Sequence, residues 1–168
     1  ILVDDDQTKN AWCMPGGKIA FYTGILPIAK NKDGIASIMG HEVAHAVARH
    51  SAERASTAIL ADVGTMALEQ LILGQRLPKA AGYIRQFGLN LPFNRSQESE
   101  ADYLGLIFSS LAGYNVNESY KVWERMVEDS GGSGPSEFFS THPSPKNRIK
   151  KLKEWIPLVN VQYPAIST

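Results

Sequence analysis

The segment His41-Glu42-Val43-Ala44-His45 limits what this chain can become more than any other. At about 100° per helical residue, positions four apart lie within roughly 40° of each other. Wound as a helix, the segment projects both imidazoles from one face, one turn apart, where they can bind one metal ion. Glu42 flanks the pair, near enough to take a proton from an activated water without being a ligand itself. The plainer alternative is a chance match in an ordinary helix. A helix is what the surroundings supply, with Asp33 as the expected N-cap. Ile35, Ile38, Met39, Val43, Ala46 and Val47 follow at the spacing of a buried stripe. His50 lies about half a turn round from His41 and off the ligand face. It is expected as a surface or capping histidine near a helix end.

Two histidines leave a catalytic centre short, because it needs a third protein ligand and an open fourth position. The single cysteine, Cys13, supplies neither a thiolate cage nor an internal disulfide. The candidates are then His142 and a carboxylate, and Glu98-Ser99-Glu100-Ala101-Asp102 offers one on a second helix. Glu98 and Asp102 are four apart and share a face, whereas Glu100 points well away from both. Glu98 is the expected third ligand. Asp102 is expected to accept the free ring N–H of one histidine and fix its tautomer. A solvated acidic helix start would explain the same carboxylates if they stood alone.

The rest of the chain reads as a mainly helical α+β domain with a small N-terminal sheet. Short strands are expected over Asn10–Met14 and Lys18–Thr23, joined by a turn at Pro15-Gly16-Gly17. Helices follow over Ile25–Lys30, over the ligand segment and on through Ser51–Leu73, then over Ser96–Ala112, Asn117–Glu128 and Pro145–Trp155. Between them, Gln75–Asn94 looks partly irregular, with a turn or two of helix at Tyr83–Phe87, and Ser130–Pro135 is the most flexible linker. The chain has 168 residues, 43% of them hydrophobic, which suits one domain spanning 1–168 and is too short for two. Its 17 basic residues cancel its 17 acidic ones, so no strong field draws it to nucleic acid. The longest apolar stretch, Thr57–Gly74, is interrupted by Asp62 and Glu69 and is too short to cross a bilayer. The sequence opens Ile1-Leu2-Val3 without an initiator Met, and is read as a trimmed piece of a longer product whose export signal has been lost.

These residues resemble a known family. HEVAH followed by ESEAD, in the form E-x-x-x-D, is similar to the zinc metallopeptidases of peptidase family M48. Asn10-Ala11 ahead of Pro15-Gly16-Gly17 and Gly24-Ile25-Leu26 resembles that family's strand segment. Ala48 through Arg54 resembles its continuation after the first helix, and Ser140-Thr141-His142-Pro143 with Arg148-Ile149 its C-terminal signature. With no membrane-spanning stretch, the chain resembles the soluble, BepA-like branch. The resemblance implies a zincin-like fold with three ligands, as the spacing does. It also implies protein quality control at membranes and cell envelopes.

The expected activity is hydrolysis of internal peptide bonds, with one zinc ion held by His41, His45 and Glu98 and with Glu42 as general base. Manganese, cobalt or iron would suit the same ligands less well. His142 is the best candidate for an oxyanion donor and Arg148 the next. Each has an alternative: His142 as a fourth ligand that closes a latent site, or as a plain turn residue, and Arg148 as a partner of Asp102 or a surface charge. One of the two strands offers an edge on which an extended substrate adds, held by backbone groups near Asn10 and Ala11, or else both strands are interior. The expected partner is a protein or peptide, suitably an unfolded one. The expected location is the cell envelope, periplasmic or exported, with peripheral membrane association. A latent or non-cleaving client-binding protein on the same fold is the competing reading.

Overall fold

In the computed structural model of the chain, residues 1–14, 16–54, 56–57, 94–131, 137–142 and 145–166 are described. Ala11–Met14 (β2) and Lys18–Tyr22 (β3) form the expected antiparallel hairpin, turned by Gly16 and Gly17 at φ of 88° and 76°. Left-handed backbone of this kind is open to glycine at no steric cost. A two-residue strand not expected from sequence, Leu2–Val3 (β1), pairs parallel to the other side of β3, giving the order β1-β3-β2. β3 is therefore the central strand, and β2 is at the margin among the described residues.

The chain then passes through a tight turn at Thr23–Ile25 into a short helix, Leu26–Ala29 (α1), and the helix that carries His41, Glu42 and His45, Lys32–Val47 (α2). Its cap is Asn31, not Asp33. Lys30, at φ 69°, ends α1 two residues before Lys32, and the Asn31 side chain accepts from Gly34 N at 2.9 Å. Asp33 instead accepts from the Asn115 backbone N–H at 3.1 Å. The buried face of α2 also differs from the expected stripe. Gly34, Ile38, Gly40, His41, Glu42, Ala44 and His45 are sheltered, while Val47 is 61% exposed. The helix hides its chemistry and leaves Ile35, Met39 and Val43 only half covered, along an open groove against Phe108.

α2 ends at Val47; Arg49, at φ 58°, turns the chain before residues 50–54 and 56–57 become helical again. The remainder of the helix expected to Leu73, the stretch 75–93 with Tyr83–Phe87, and residues 132–136 of the expected linker lie outside the described residues. Arg95–Leu111 (α3) starts from a reciprocal cap in which Asn94 Oδ1 accepts from Gln97 N and Gln97 Oε1 from Asn94 N. Glu118–Asp129 (α4), a short helix Glu137–Thr141 (α5) and Pro145–Gln162 (α6) complete the order. α6 continues past the expected end at Trp155, straight through Pro157. An interior proline costs about 3 kcal/mol. Leu152, Ile156 and Val159 share one buried face, and each contributes about 1.5–3 kcal/mol, so burial wins.

The core gathers Phe21, Ile28, Ile38, Leu106, Val122, Trp123, Met126, Phe138 and the buried face of α6. Through it α2 and α3 run antiparallel: Ser109 Oγ donates to Ala36 O, Gly105 meets Gly40, and Asp102 faces His41. The two glycines let the backbones touch. A β-carbon on Gly40 would stand 2.9 Å from Gly105 O, and one on Gly105 would stand 2.9 Å from His41 N. Both are closer than real side chains come, so the contact requires glycine on both helices. It also sets how near the acidic turn of α3 comes to the histidines of α2.

Candidate metal centre

His41 and His45 leave α2 on one face, and their Nε2 atoms converge to 3.0 Å. From the first turns of α3, Glu98 Oε1 lies 3.3 Å from His45 Nε2 and Oε2 lies 3.7 Å from His41 Nε2. His142, carried just beyond α5, brings Nδ1 to 3.0 Å from Glu98 Oε1 and 3.3 Å from His41 Nε2. One donor atom from each of these four residues lies within 4.8 Å of every other. Such a group of nitrogens and carboxylate oxygens, so close together, could hold a metal ion. Burial pulls the His45 ring down to about 2, so it is neutral and its nitrogen is available as a ligand. Burial alone would push Glu98 up, but His142 and Arg148 outweigh it and hold the carboxyl well below its usual range.

Glu42 is fully buried beside His41, and among the described residues neither of its oxygens meets a hydrogen-bond donor. His142 Nε2 stands 3.5 Å from Oε1. Burial pushes the Glu42 carboxyl up, more than His142 and His41 pull it back. An orphaned buried carboxylate is costly to keep. Here it sits where a polar reactant would supply the missing partner.

Asp102 Oδ1 lies 3.1 Å from His41 Nδ1, the ring nitrogen turned away from the cluster. Arg148 is buried, not a surface charge. Its Nε and Nη2 donate to the two oxygens of Asp102, each at 2.6 Å, and its Nη1 donates to Glu98. The guanidinium lies 3.7 Å over the Trp123 ring. Burial works against the Arg148 charge, and Asp102 and Glu98 more than restore it. Those contacts also lower Asp102 against its own burial. The His142 ring stacks on Phe138, centroids 4.4 Å apart. It is therefore packed, not a solvent-exposed turn residue.

Asn10 immediately precedes β2 and Ala11 begins it, and β2 packs against α2. Asn10 O accepts from Tyr22 N, whereas Phe21 N and Ile19 O bond β1, so Ala11 and Cys13 turn their backbone groups to the outer side of β2. Cys13 O is taken by Ser51 Oγ at 3.1 Å, and Ala11 is fully covered. The expected open edge on Lys18–Thr23 does not exist, since β3 is paired on both sides.

His50 is off the ligand face, as its angular position requires, but it is buried, and its Nδ1 lies 3.0 Å from His45 Nδ1. The left-handed turn at Arg49 folds it back under the helix it has just left. Helical geometry continued past Val47 puts it on the surface, and the break at Ala48-Arg49 has no glycine or proline to announce it.

A helical domain with a three-stranded sheet, two imidazoles one turn apart, a carboxylate from a facing helix and a buried glutamate beside them have the arrangement of a zincin-like metal site. The comparisons with known proteins agree. The chain belongs to Peptidase family M48, whose profile it matches over residues 1–156. It is 44% identical to "Mitochondrial metalloendopeptidase OMA1" of Schizosaccharomyces pombe over 94% of this chain and 46% of that protein. To the protein of the same name from Saccharomyces cerevisiae it is 37% identical, over 97% of this chain and 48% of the relative. "Metalloprotease YcaL" of Escherichia coli is 28% identical over 88% of this chain and 58% of its own length. The chain thus spans about half the length of the OMA1 proteins it matches.

Proposed function

We propose that the chain is the catalytic unit of a zinc metalloendopeptidase, formed by residues 1–168, that hydrolyses internal peptide bonds of protein substrates. The observation that carries this reading is the convergence of His41, His45 and Glu98 beside a buried Glu42 that makes no hydrogen bond among the described residues. Two imidazoles and a carboxylate suit zinc, which when bound supplies a Lewis acid and activates water at neutral pH. Glu42 takes the proton of the attacking water and delivers it to the leaving nitrogen. Asp102 holds the His41 ring through Nδ1, and Arg148 holds Asp102 and Glu98 in place. Addition of an extended substrate along the outer side of β2, beside Asn10 and Ala11, requires that whatever covers Ala11 move aside to bare its backbone N–H and C=O. Such pairing reads little sequence, which suits unfolded clients. No helix among the described residues is long and apolar enough to cross a membrane. The names of the relatives place two of them in mitochondria. Peripheral association with an organellar or envelope membrane is the location we propose.

The test is metal content and casein cleavage, measured on the wild-type chain and on His45→Ala and Glu98→Ala. We expect about one zinc per wild-type chain, chelator-sensitive cleavage, and loss of both in each variant. Zinc retained by Glu98→Ala would give the third position to another residue. A metal-loaded wild type that holds casein without cutting it would favour the client-binding reading.

A second reading concerns latency, and burial favours it. Glu42 and His45 are fully covered, and His142 stands among the ligands where a substrate oxygen would have to come. If His142 closes the resting site, His142→Ala raises cleavage several-fold at unchanged zinc content. If it steadies the oxyanion, the same change lowers cleavage by about 10²–10³-fold. The casein assay separates these by sign.

A further inference from the structure

α3 carries three acidic side chains within five residues, and only two of them face the ligands. Glu100 points the other way, is 58% exposed at its side chain, and places Oε2 3.3 Å from His50 Nε2. The other nitrogen of His50 meets His45 Nδ1 at 3.0 Å. The proton positions along this chain follow once His45 binds a metal through Nε2. His45 turns Nε2 into the ligand cluster, so as a metal ligand it must carry its hydrogen on Nδ1. His45 Nδ1–H then donates to His50 Nδ1. His50 in turn carries its hydrogen on Nε2 and donates to Glu100. The hydroxyl of the next residue, Ser51, is tied to Cys13 O of β2, which holds the turn under α2.

We propose that His50 and Glu100 are positioning residues for the metal site, a histidine–histidine–carboxylate chain that fixes the tautomer and ring orientation of His45. This rests on the reading of His45 as a metal ligand. The two ligand histidines are thereby held differently: His41 by Asp102 directly and inside the core, His45 through an intermediary whose carboxylate lies at the surface. One helix supplies a ligand, the partner of one histidine and the distant partner of the other.

The test compares the zinc affinity of the full chain with those of His50→Ala, His50→Asn and Glu100→Gln, by competition against a chromophoric chelator, with the melting temperature of each metal-free form. Asparagine Oδ1 occupies the place of histidine Nδ1 and keeps the acceptor, while both substitutions at 50 remove the ring. Outer partners of this kind are worth about 10–100-fold in metal affinity. We expect His50→Ala to bind zinc in that range below wild type and His50→Asn to recover most of the loss. Glu100→Gln, which still accepts, should lose only about two- to five-fold. Equal zinc affinity in the two His50 variants, whether both normal or both weakened alike, would overturn the relay and leave the metal site standing. A wild-type chain that takes up no zinc would instead overturn the metal reading, and the relay with it.

Discussion

Glu42→Gln binds zinc as the wild type does and loses about 10²–10⁴-fold in turnover, the usual contribution of a positioned general base. The amide is isosteric with the carboxylate, so the fully buried position is refilled without a cavity. Glu42 is not one of the four converging residues, so the ligand set is kept. The substitution also removes a carboxyl whose ionisation is opposed by burial and which finds no donor among the described residues. The metal-free variant should therefore melt no lower than wild type, and preferably higher. The combination discriminates: a group that only supports structure loses stability along with activity, whereas Glu42 should lose activity alone. Steady-state cleavage, zinc content and a thermal melt on one preparation decide it. Undiminished turnover in a zinc-loaded variant would end the assignment.

Arg148→Ala has the opposite signature, a large loss of stability that appears before any metal is added. The guanidinium is the cation for two buried carboxylates, binding Asp102 through two nitrogens and Glu98 through a third. Removing one partner of a buried ion pair leaves an uncompensated charge and costs about 3–5 kcal/mol. That is a large share of the roughly 5–15 kcal/mol by which a domain is stable. For a chain of this length it lowers the melting temperature by about 6–20 °C. Zinc restores part of the loss by neutralising Glu98, while Asp102 keeps only His41 Nδ1 as a partner. Arg148→Lys recovers less than half, because one ammonium cannot span both carboxylates in the fork that Arg makes. Melts of metal-free and zinc-loaded protein test this, and a metal-free Arg148→Ala melting within 2 °C of wild type would show that the network contributes nothing.

The parts of the site readable from sequence are those that lie on one helix at helical spacing. His41, Glu42 and His45 form one such set, and Glu98 and Asp102 another. Spacing alone did not bring α5 and α6 to them; His142 stood only as one candidate ligand, and the resemblance weighted it and Arg148 toward function. Even then the sequence left the burial of both open, because burial depends on Phe138 and Trp123, which stack against them from other elements. Where local signals misled, tertiary packing overrode them. Apart from Ile38, the apolar stripe on α2 pointed to the wrong buried face, since what is buried there is largely polar: His41, Glu42 and His45. Pro157 did not stop α6, because three buried side chains outweigh one missing hydrogen bond. His50 was placed outside because a left-handed arginine leaves no mark in the sequence.

The touching glycines of α2 and α3 act as a fulcrum. Gly105 is seven residues from Glu98, about 10 Å along the axis, but only three from Asp102. A tilt of about 5° about the crossing would move Asp102 by about 0.4 Å against His41 and Glu98 by about 1 Å relative to His45. In a catalytic geometry that displacement costs on the order of 10²-fold. Substitutions deep in the core, far from any ligand, should therefore register first as a loosened grip by Glu98. Such a lever makes the domain's tolerance for drift in its packing much narrower than its stability alone would suggest.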